Sequence, residues 1–245
     1  MNVIVIIPAA GLGTRMGSVS ATAQGKTPSK QFLTIAGAPI LVHTLRKFEE
    51  APEIKEICIA LRPQEGDGFL ADMQKHGFRK PIHVVDGGEH RQQSVSNALR
   101  AVQAADDDIV LVHDAVRPFV DRETIIGVIE AVKKYGAAIA AMPAVDTIKQ
   151  VERTPDGAII RATIPREVLV QAQTPQGFRY GLLRRAFEAA ESEGFVGTDE
   201  ASLLEHIGQD VHVVMGSPRN IKITTPSDLE VAELYLSEEK SKSLP

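Results

Sequence analysis

The sequence predicts an α/β fold: a Rossmann-like, mostly parallel, twisted sheet flanked by helices on both faces, with a projecting β-hairpin arm. Three observations carry this. Short apolar runs recur along the chain and alternate with stretches of helical period. Three of those runs, Val3–Ile7, Ile57–Leu61 and Ile109–His113, are nearly continuous in apolar residues, as strands buried on both faces are. One polar segment, about residues 145–166, breaks the alternation and reads as a hairpin.

Val3–Ile7 is the first strand. It opens into Pro8-Ala9-Ala10-Gly11-Leu12-Gly13-Thr14-Arg15-Met16-Gly17, a glycine-rich loop carrying an arginine. Such a loop lets backbone N–H groups and a cation approach a phosphate chain. It is not the dinucleotide fingerprint, whose third glycine would fall at Met16, and no Gly-Lys-Ser/Thr follows to make a Walker loop. A Rossmann turn passes directly into a helix. The polar run from Ser18 to Gln31 is too long for that and reads as a flap that folds over a ligand and delivers Lys30.

Further strands are predicted at Ile57–Leu61, Ile82–Val85, Ile109–His113, Ala137–Met142 and Val211–Met215. Between them, helical faces repeat at i, i+3, i+4, i+7: Val95, Ala98, Leu99, Val102; Ile125, Val128, Ile129, Val132; Leu183, Ala186, Phe187, Ala190. The hairpin pairs Asp146–Glu152 with Ala158–Thr163 across Arg153-Thr154-Pro155-Asp156-Gly157. Neither stretch is apolar enough for the main sheet. A projecting arm of this kind packs most economically on a second subunit, so a homodimer is expected.

The chain has 245 residues, read as a single domain spanning 1–245 with the arm inserted. Net charge is −5, so no global field draws in nucleic acid. Cys58 is the one cysteine and sits in an apolar run, which reads as core rather than nucleophile; it excludes a disulfide framework and fits a reducing cytoplasm. No apolar run reaches the roughly 20 residues a membrane span needs, and the opening lacks a basic stretch before its apolar run, so no signal peptide is expected. The polar tail, Ser237 to Pro245, is expected to fray.

Ligands of open α/β sheets bind beyond the carboxyl ends of the strands. There stand Gly11, Gly13 and Arg15; Asp86-Gly87-Gly88-Glu89-His90-Arg91 with Ser94; and His113-Asp114-Ala115-Val116-Arg117-Pro118. Later clusters are Thr174-Pro175-Gln176, Thr198-Asp199-Glu200-Ala201 and Arg219-Asn220-Ile221-Lys222-Ile223-Thr224. Each alone also has a structural reading: Asp199 or Ser94 as a helix cap, Gly87-Gly88 as a turn, His113 as a satisfied strand-end histidine. Together they bring Arg, Lys and Asp to several strand ends with no paired Cys and His for zinc. That suits an anionic phosphate ligand with a hard divalent ion, Mg²⁺.

Pro8-Ala9-Ala10-Gly11-x-Gly13-x-Arg15-Met16 with Pro28-Ser29-Lys30-Gln31 is similar to the opening of the sugar-phosphate nucleotidyltransferases. Val85-Asp86-Gly87-Gly88, His113-Asp114-Ala115-x-Arg117-Pro118, Asp146-Thr147-Ile148-Lys149 and the three later clusters narrow it. The ordered set, over about residues 3–235, resembles the 2-C-methyl-D-erythritol 4-phosphate cytidylyltransferases of non-mevalonate isoprenoid biosynthesis. A sister family, the ribitol-5-phosphate cytidylyltransferases, shares the opening and the chemistry and differs in the acceptor. A non-catalytic nucleotide-binding relative is the other alternative; such a chain could dispense with the phosphate-facing cations, and Arg15, Lys30, Arg166 and Lys222 are all present.

The resemblance implies transfer of CMP from CTP to the acceptor phosphate. Arg15 and Lys30 would neutralise the triphosphate, with Mg²⁺ carried mainly by the nucleotide. CTP would contact Pro8, Ala9, Ala10, Gly11, Gly13, Gly88, Ser94, Asp114 and Ala115. Arg166 and Lys222 would hold the attacking phosphate, with Arg117, Thr147, Thr174 and Thr198 around the substrate. Arg166 follows the arm and would be supplied across the dimer. Lys26 is the rival to Lys30, and Pro28-x-Lys30-Gln31 favours Lys30. Arg219 takes no role from the resemblance, because some relatives carry an acidic residue there.

Overall fold

The computed structural model of the chain describes residues 1–11, 29–66 and 68–243. In chain order its strands and helices are β1 (Val3–Pro8), β2 (Thr34–Ile35), β3 (Ala38–Pro39), α1 (Ile40–Glu49), β4 (Glu56–Leu61), α2 (Pro63–Gly66), α3 (Phe69–Lys75), β5 (Ile82–Asp86) and α4 (Arg91–Ala101). There follow β6 (Ile109–Val112), α5 (Arg122–Tyr135), β7 (Ala137–Pro143), β8 (Ile148–Thr154), β9 (Gly157–Ile164), β10 (Val170–Arg179), α6 (Tyr180–Glu193), α7 (Glu200–His206), β11 (His212–Met215) and α8 (Pro226–Ser243).

Seven strands form the main sheet in the order β11-β7-β10-β6-β1-β4-β5. β6, β1, β4 and β5 run parallel, and β11 runs parallel to β7. β10 is antiparallel to both of its neighbours. The apolar continuity of β1 now has its cause. Val3, Val5 and Ile7 face one core, with Leu41, Ile57, Ile59, Leu111 and the α5 residues Ile125, Val128, Ile129 and Val132. Ile4 and Ile6 face the other, with Cys58, Val95, Leu99, Val110, Phe178 and Leu183. A strand covered on both faces needs apolar side chains at both phases of its two-residue period. Each such side chain, fully buried, contributes about 1.5–3 kcal/mol. The three predicted helical faces are buried as well. Cys58 is 0% exposed, and burial pushes its thiol up to about 12, so it is a packing residue.

The arm pairs β8 with β9 in a sheet of their own, with Thr154 opposite Gly157 across Pro155-Asp156. Val151, Ile159 and Ile160 lie exposed along it. Among the described residues, no helix is long and apolar enough to cross a membrane.

Two expectations need correction. Thr174-Pro175-Gln176, read only as a polar cluster, is the middle of β10, a central strand absent from the predicted strands. Its glutamines, threonine and proline hide it from an apolar-run search. The sheet tolerates Pro175 because pairing with β7 is irregular between Ala172 and Gln176. The tail does not fray from Ser237: α8 continues to Ser243. Ala232 and Leu236 of α8 pack with Ile35, Val116, Phe119 and Ile223, and Glu238 and Glu239 pair with Arg219 and Lys47.

Candidate active site

A cavity of about 250 Å³ opens where β1, β5 and β6 end. Pro8, Ala9, Ala10 and Gly11 form one wall, Gly88 and Ser94 another, and Asp114 and Ala115 a third, with Lys30 and Lys222 at its edge. The loop after β1 is pinned from behind. Ala9 N–H donates to Ala60 O at 2.8 Å, Gln31 Nε2 donates to Ala9 O, and Arg62 Nε donates to Ala10 O at 3.0 Å. Facing it, Gly88 N–H donates to Ser94 Oγ at 3.0 Å, and that hydroxyl donates to His90 O at 3.1 Å. A Cβ at Gly87 would lie 2.2 Å from Ala10 Cβ, so only glycine lets this turn pass the loop.

A second cavity of about 210 Å³ adjoins the first. Arg117, Thr174, Gln176, Thr198 and Asp199 line it, and it shares Arg91, Asp114 and Lys222 with the first. These three residues form a wall common to both.

Asp114 is the centre of that wall. Its carboxylate lies 3.2 Å from Arg91 Nε, 3.3 Å from Arg117 Nε and 2.9 Å from Lys222 Nζ. Burial alone would raise its pKa, but the three cations hold it well below the usual carboxylate range. Arg91 also forks onto Glu200 at 2.7 and 2.9 Å. Burial opposes the charge of Arg91, yet Glu200 and Asp114 more than offset it and raise its pKa. For Glu200, burial outweighs Arg91 and pushes the carboxyl up.

Behind Asp114 lies His113, fully buried. Its Nε2 meets Arg117 O at 3.0 Å; a carbonyl only accepts, so Nε2 carries the proton. Nδ1 therefore accepts, from the Thr174 hydroxyl at 3.0 Å, and Thr174 Oγ1 in turn accepts Asp114 N–H at 3.1 Å. Burial lowers His113 to about 4, which keeps the ring neutral. The chain of bonds seats Asp114 and Arg117 from behind.

A two-cavity site with a shared cationic wall is chemistry for joining two anionic substrates. The comparisons with known proteins agree in kind. The family model of 2-C-methyl-D-erythritol 4-phosphate cytidylyltransferase (IspD) matches residues 3–238. The chain belongs to this family. A relative of that name from Acidobacterium capsulatum is 57% identical over 242 residues, covering 99% of this chain and 100% of the relative. One from Solibacter usitatus is 49% identical over 243 residues, covering 99% of each. The crystal structure of the Francisella tularensis enzyme of that name shares 38% identity at a TM-score of 0.78, covering 96% of this chain and 99% of that one. The Thermus thermophilus structure shares 33% at 0.73, covering 96% and 98%.

The IspD fold brings most of the predicted residues together. Pro8, Ala9, Ala10, Gly11, Gly88, Ser94, Asp114, Ala115 and Lys30 line the first cavity. Arg117, Thr174 and Thr198 line the second, and Lys222 lines both. Gly13, Arg15, Lys26 and most of the flap lie outside the described residues. Arg166 and Thr147 line neither cavity. Arg166 sits on a short 3-10 turn at the base of the arm and donates to Val145 O at 2.7 Å; Thr147 is exposed just before β8. Arg219 turns from both cavities: it stacks over Tyr235 at 4.0 Å and pairs with Glu238 at 2.8 Å, tying the Lys222 segment to α8.

Sequence reasoning assigned no role to Arg91, Glu200, Gln31 or Gln176. Arg91 and Glu200 stand inside quoted clusters, but they are 109 residues apart and nothing local in the sequence pairs them.

Proposed function

We propose that the chain transfers CMP from CTP to 2-C-methyl-D-erythritol 4-phosphate, in non-mevalonate isoprenoid biosynthesis. A phosphate oxygen of the acceptor attacks the α-phosphorus of CTP in line. The bond from that phosphorus to the bridging α,β-oxygen breaks, and pyrophosphate leaves with that oxygen. The acceptor phosphate is already a competent nucleophile, so no covalent enzyme intermediate is needed. Catalysis is positioning and charge neutralisation.

The observation that carries the reading is the shared wall. Two adjoining cavities that both touch Arg91, Asp114 and Lys222 can present two phosphates to one another. In this reading the first cavity takes the CMP portion of CTP. The small residues Ala9, Ala10 and Gly88 leave room for the flat base, Ser94 stands beside it, and Asp114 and Ala115 stand near the ribose. Arg15 and Lys30 neutralise charge developing on the leaving pyrophosphate. The second cavity takes the acceptor, with Lys222 on its phosphate and Arg117, Thr174 and Thr198 around it.

Arg166 and Thr147 fit this scheme when a partner subunit supplies them. The exposed apolar residues of the arm support a homodimer built there. We propose Mg²⁺ as the cofactor. Asp114 is engaged by three cations, and the described residues contain no group of three or more His, Cys, Asp or Glu placed for a metal. The described residues therefore do not fit a protein-held metal, and the ion belongs with the nucleotide phosphates, as the hydration chemistry of Mg²⁺ favours. A single buried thiol suits a reducing cytoplasm, where we place the protein.

A pyrophosphate-release assay tests this, with four nucleoside triphosphates against methylerythritol 4-phosphate, ribitol 5-phosphate and other polyol phosphates, with and without Mg²⁺. Release is expected with CTP and methylerythritol 4-phosphate. Preference for ribitol 5-phosphate would move the protein to the sister activity, and no release with any pair would overturn the function.

A further inference from the structure

We propose that Glu200 is a positioning residue for the transfer: through its forked pair with Arg91 it fixes the Asp114 carboxylate on the wall between the two cavities. What that wall does rests on the cytidylyl-transfer reading; the pair itself rests on geometry.

Glu200 is 1% exposed and lines neither cavity. Its two oxygens accept from the two terminal nitrogens of Arg91 at 2.7 and 2.9 Å. The third nitrogen, Nε, donates to Asp114 Oδ1 at 3.2 Å. A guanidinium is rigid and planar, so fixing two of its nitrogens fixes the direction of the third. Glu200 is held in its turn. Its own N–H and that of Ala201 both donate to Gln176 Oε1 at 3.1 Å, and Gln176 is 1% exposed on the central strand β10. Gln176 Nε2 also donates to Asp199 Oδ2 at 2.7 Å, and Asp199 caps α7. The order of support runs from sheet to Glu200, to Arg91, to Asp114.

Charge counting gives the pair a signature that simple scaffolding lacks. Three cations at or beside the wall, Arg91, Arg117 and Lys222, pair with two carboxylates, Asp114 and Glu200. Neutralising Glu200 adds one net positive charge beside an anionic acceptor while it frees Arg91 to swing. Acceptor binding should not weaken, but alignment should. A residue that only held up the fold would change the folded fraction and leave turnover per folded molecule intact.

The test compares wild type with Glu200→Gln, Glu200→Asp, Arg91→Lys and the Glu200→Gln/Arg91→Lys double variant. Folded fraction comes from circular dichroism, and kcat and both KM values from pyrophosphate release. For Glu200→Gln, kcat per folded molecule is expected to fall about tenfold or more, on the scale of a misplaced catalytic group, with acceptor KM no higher than wild type. Glu200→Asp keeps the charge but is one methylene short of the fork, so it stays impaired. The double variant should be no worse than the worse single, because residues acting as one unit are non-additive. Wild-type kcat in Glu200→Gln, full recovery in Glu200→Asp, or additive losses would each overturn the proposal.

A second measurement needs no substrate. The Arg91 Nε–H should give an exchange-protected side-chain signal in ¹H–¹⁵N spectra of the wild type and lose that protection in Glu200→Gln. Retained protection overturns the pair. Wild-type protein that shows the protected signal but no turnover would overturn the assigned reaction and leave the pair standing.

Discussion

Lys222 Nζ stands 2.9 Å from Asp114 Oδ2, joining the segment after β11 to the end of β6. The contact puts an ammonium group, about a third exposed, on the border of both cavities, anchored by a carboxylate that Arg91 and Arg117 also hold. Removing Lys222 leaves Asp114 with two partners and takes one cation from the acceptor side. In Lys222→Ala, kcat/KM for the sugar phosphate is expected to fall about 10²-fold, on the scale of losing one transition-state donor. KM for CTP should stay close to wild type. Steady-state kinetics with each substrate varied in turn checks this; a loss confined to CTP would contradict the placement.

Lys30 lines the same first cavity. If it neutralises the leaving pyrophosphate, Lys30→Ala lowers kcat by roughly 10²-fold or more. Arg15→Ala should act in the same way. Near-normal turnover in both variants would remove the triphosphate role from Lys30 and Arg15.

How much of this was legible in the sequence depends on what the signal was made of. Strand β1 and the helical faces of α4, α5 and α6 were readable because burial on a fixed period forces apolar residues into a fixed pattern. The site clusters were readable because the fold puts ligands at strand ends. β10 was not: a central strand whose Gln173, Thr174 and Gln176 make hydrogen bonds to Asn220, Asp114 and Glu200 carries polar residues where a search expects Val or Ile. The Arg91–Glu200 pair was hidden for a related reason. Its partners are 109 residues apart, and no local pattern announces which distant charges meet. Arg219 could only be placed by seeing Tyr235 beneath it.

Gly87 offers a test of the nucleotide side that leaves every charge in place. A methyl group there would meet Ala10 Cβ at 2.2 Å and Leu61 O at 3.3 Å. Ala10 cannot rotate away, because its carbonyl is held by Arg62. Gly87→Ala should push the loop after β1 into the first cavity and raise KM for CTP about tenfold, at a stability cost of about 1–3 kcal/mol from overpacking. Equilibrium CTP binding, set beside thermal melts, separates the two effects. Unchanged CTP affinity would mean that the loop does not shape the nucleotide pocket.

The arm carries Ile159 and Ile160 on β9, 48% and 61% exposed, opposite Glu152 and Val151 of β8. The two isoleucines point to opposite faces of the hairpin, and an isolated two-stranded hairpin is marginal without further surface to pack against. Ile159→Asp together with Ile160→Asp should shift the protein from dimer to monomer in sedimentation velocity. If Arg166 serves the partner's site, acceptor turnover falls with it. A variant that stays dimeric would place the interface elsewhere.

His113 gives the pH dependence. Its folded pKa is lowered by burial to about 4, against 6.5 for the free side chain. Between those values the unfolded chain binds the proton and the folded protein does not, so folding stability rises with pH across that window. Run downward, the stability is whole above about pH 6.5, falls as pH drops through the window and reaches its floor below about 4. The full span corresponds to roughly 3 kcal/mol, at about 1.4 kcal/mol for each pH unit. Neutral His113 is also what the bonds require: a protonated Nδ1 could no longer accept from Thr174, whose hydroxyl seats the Asp114 N–H. Urea unfolding of wild type and His113→Gln should therefore show wild type ahead near pH 7, with the gap closing toward pH 4. His43, which burial also lowers, is common to both proteins and cancels from the difference. A gap that does not change with pH would mean that His113 takes up its proton as readily folded as unfolded, and that a neutral ring accepting from Thr174 does not hold the wall behind Asp114.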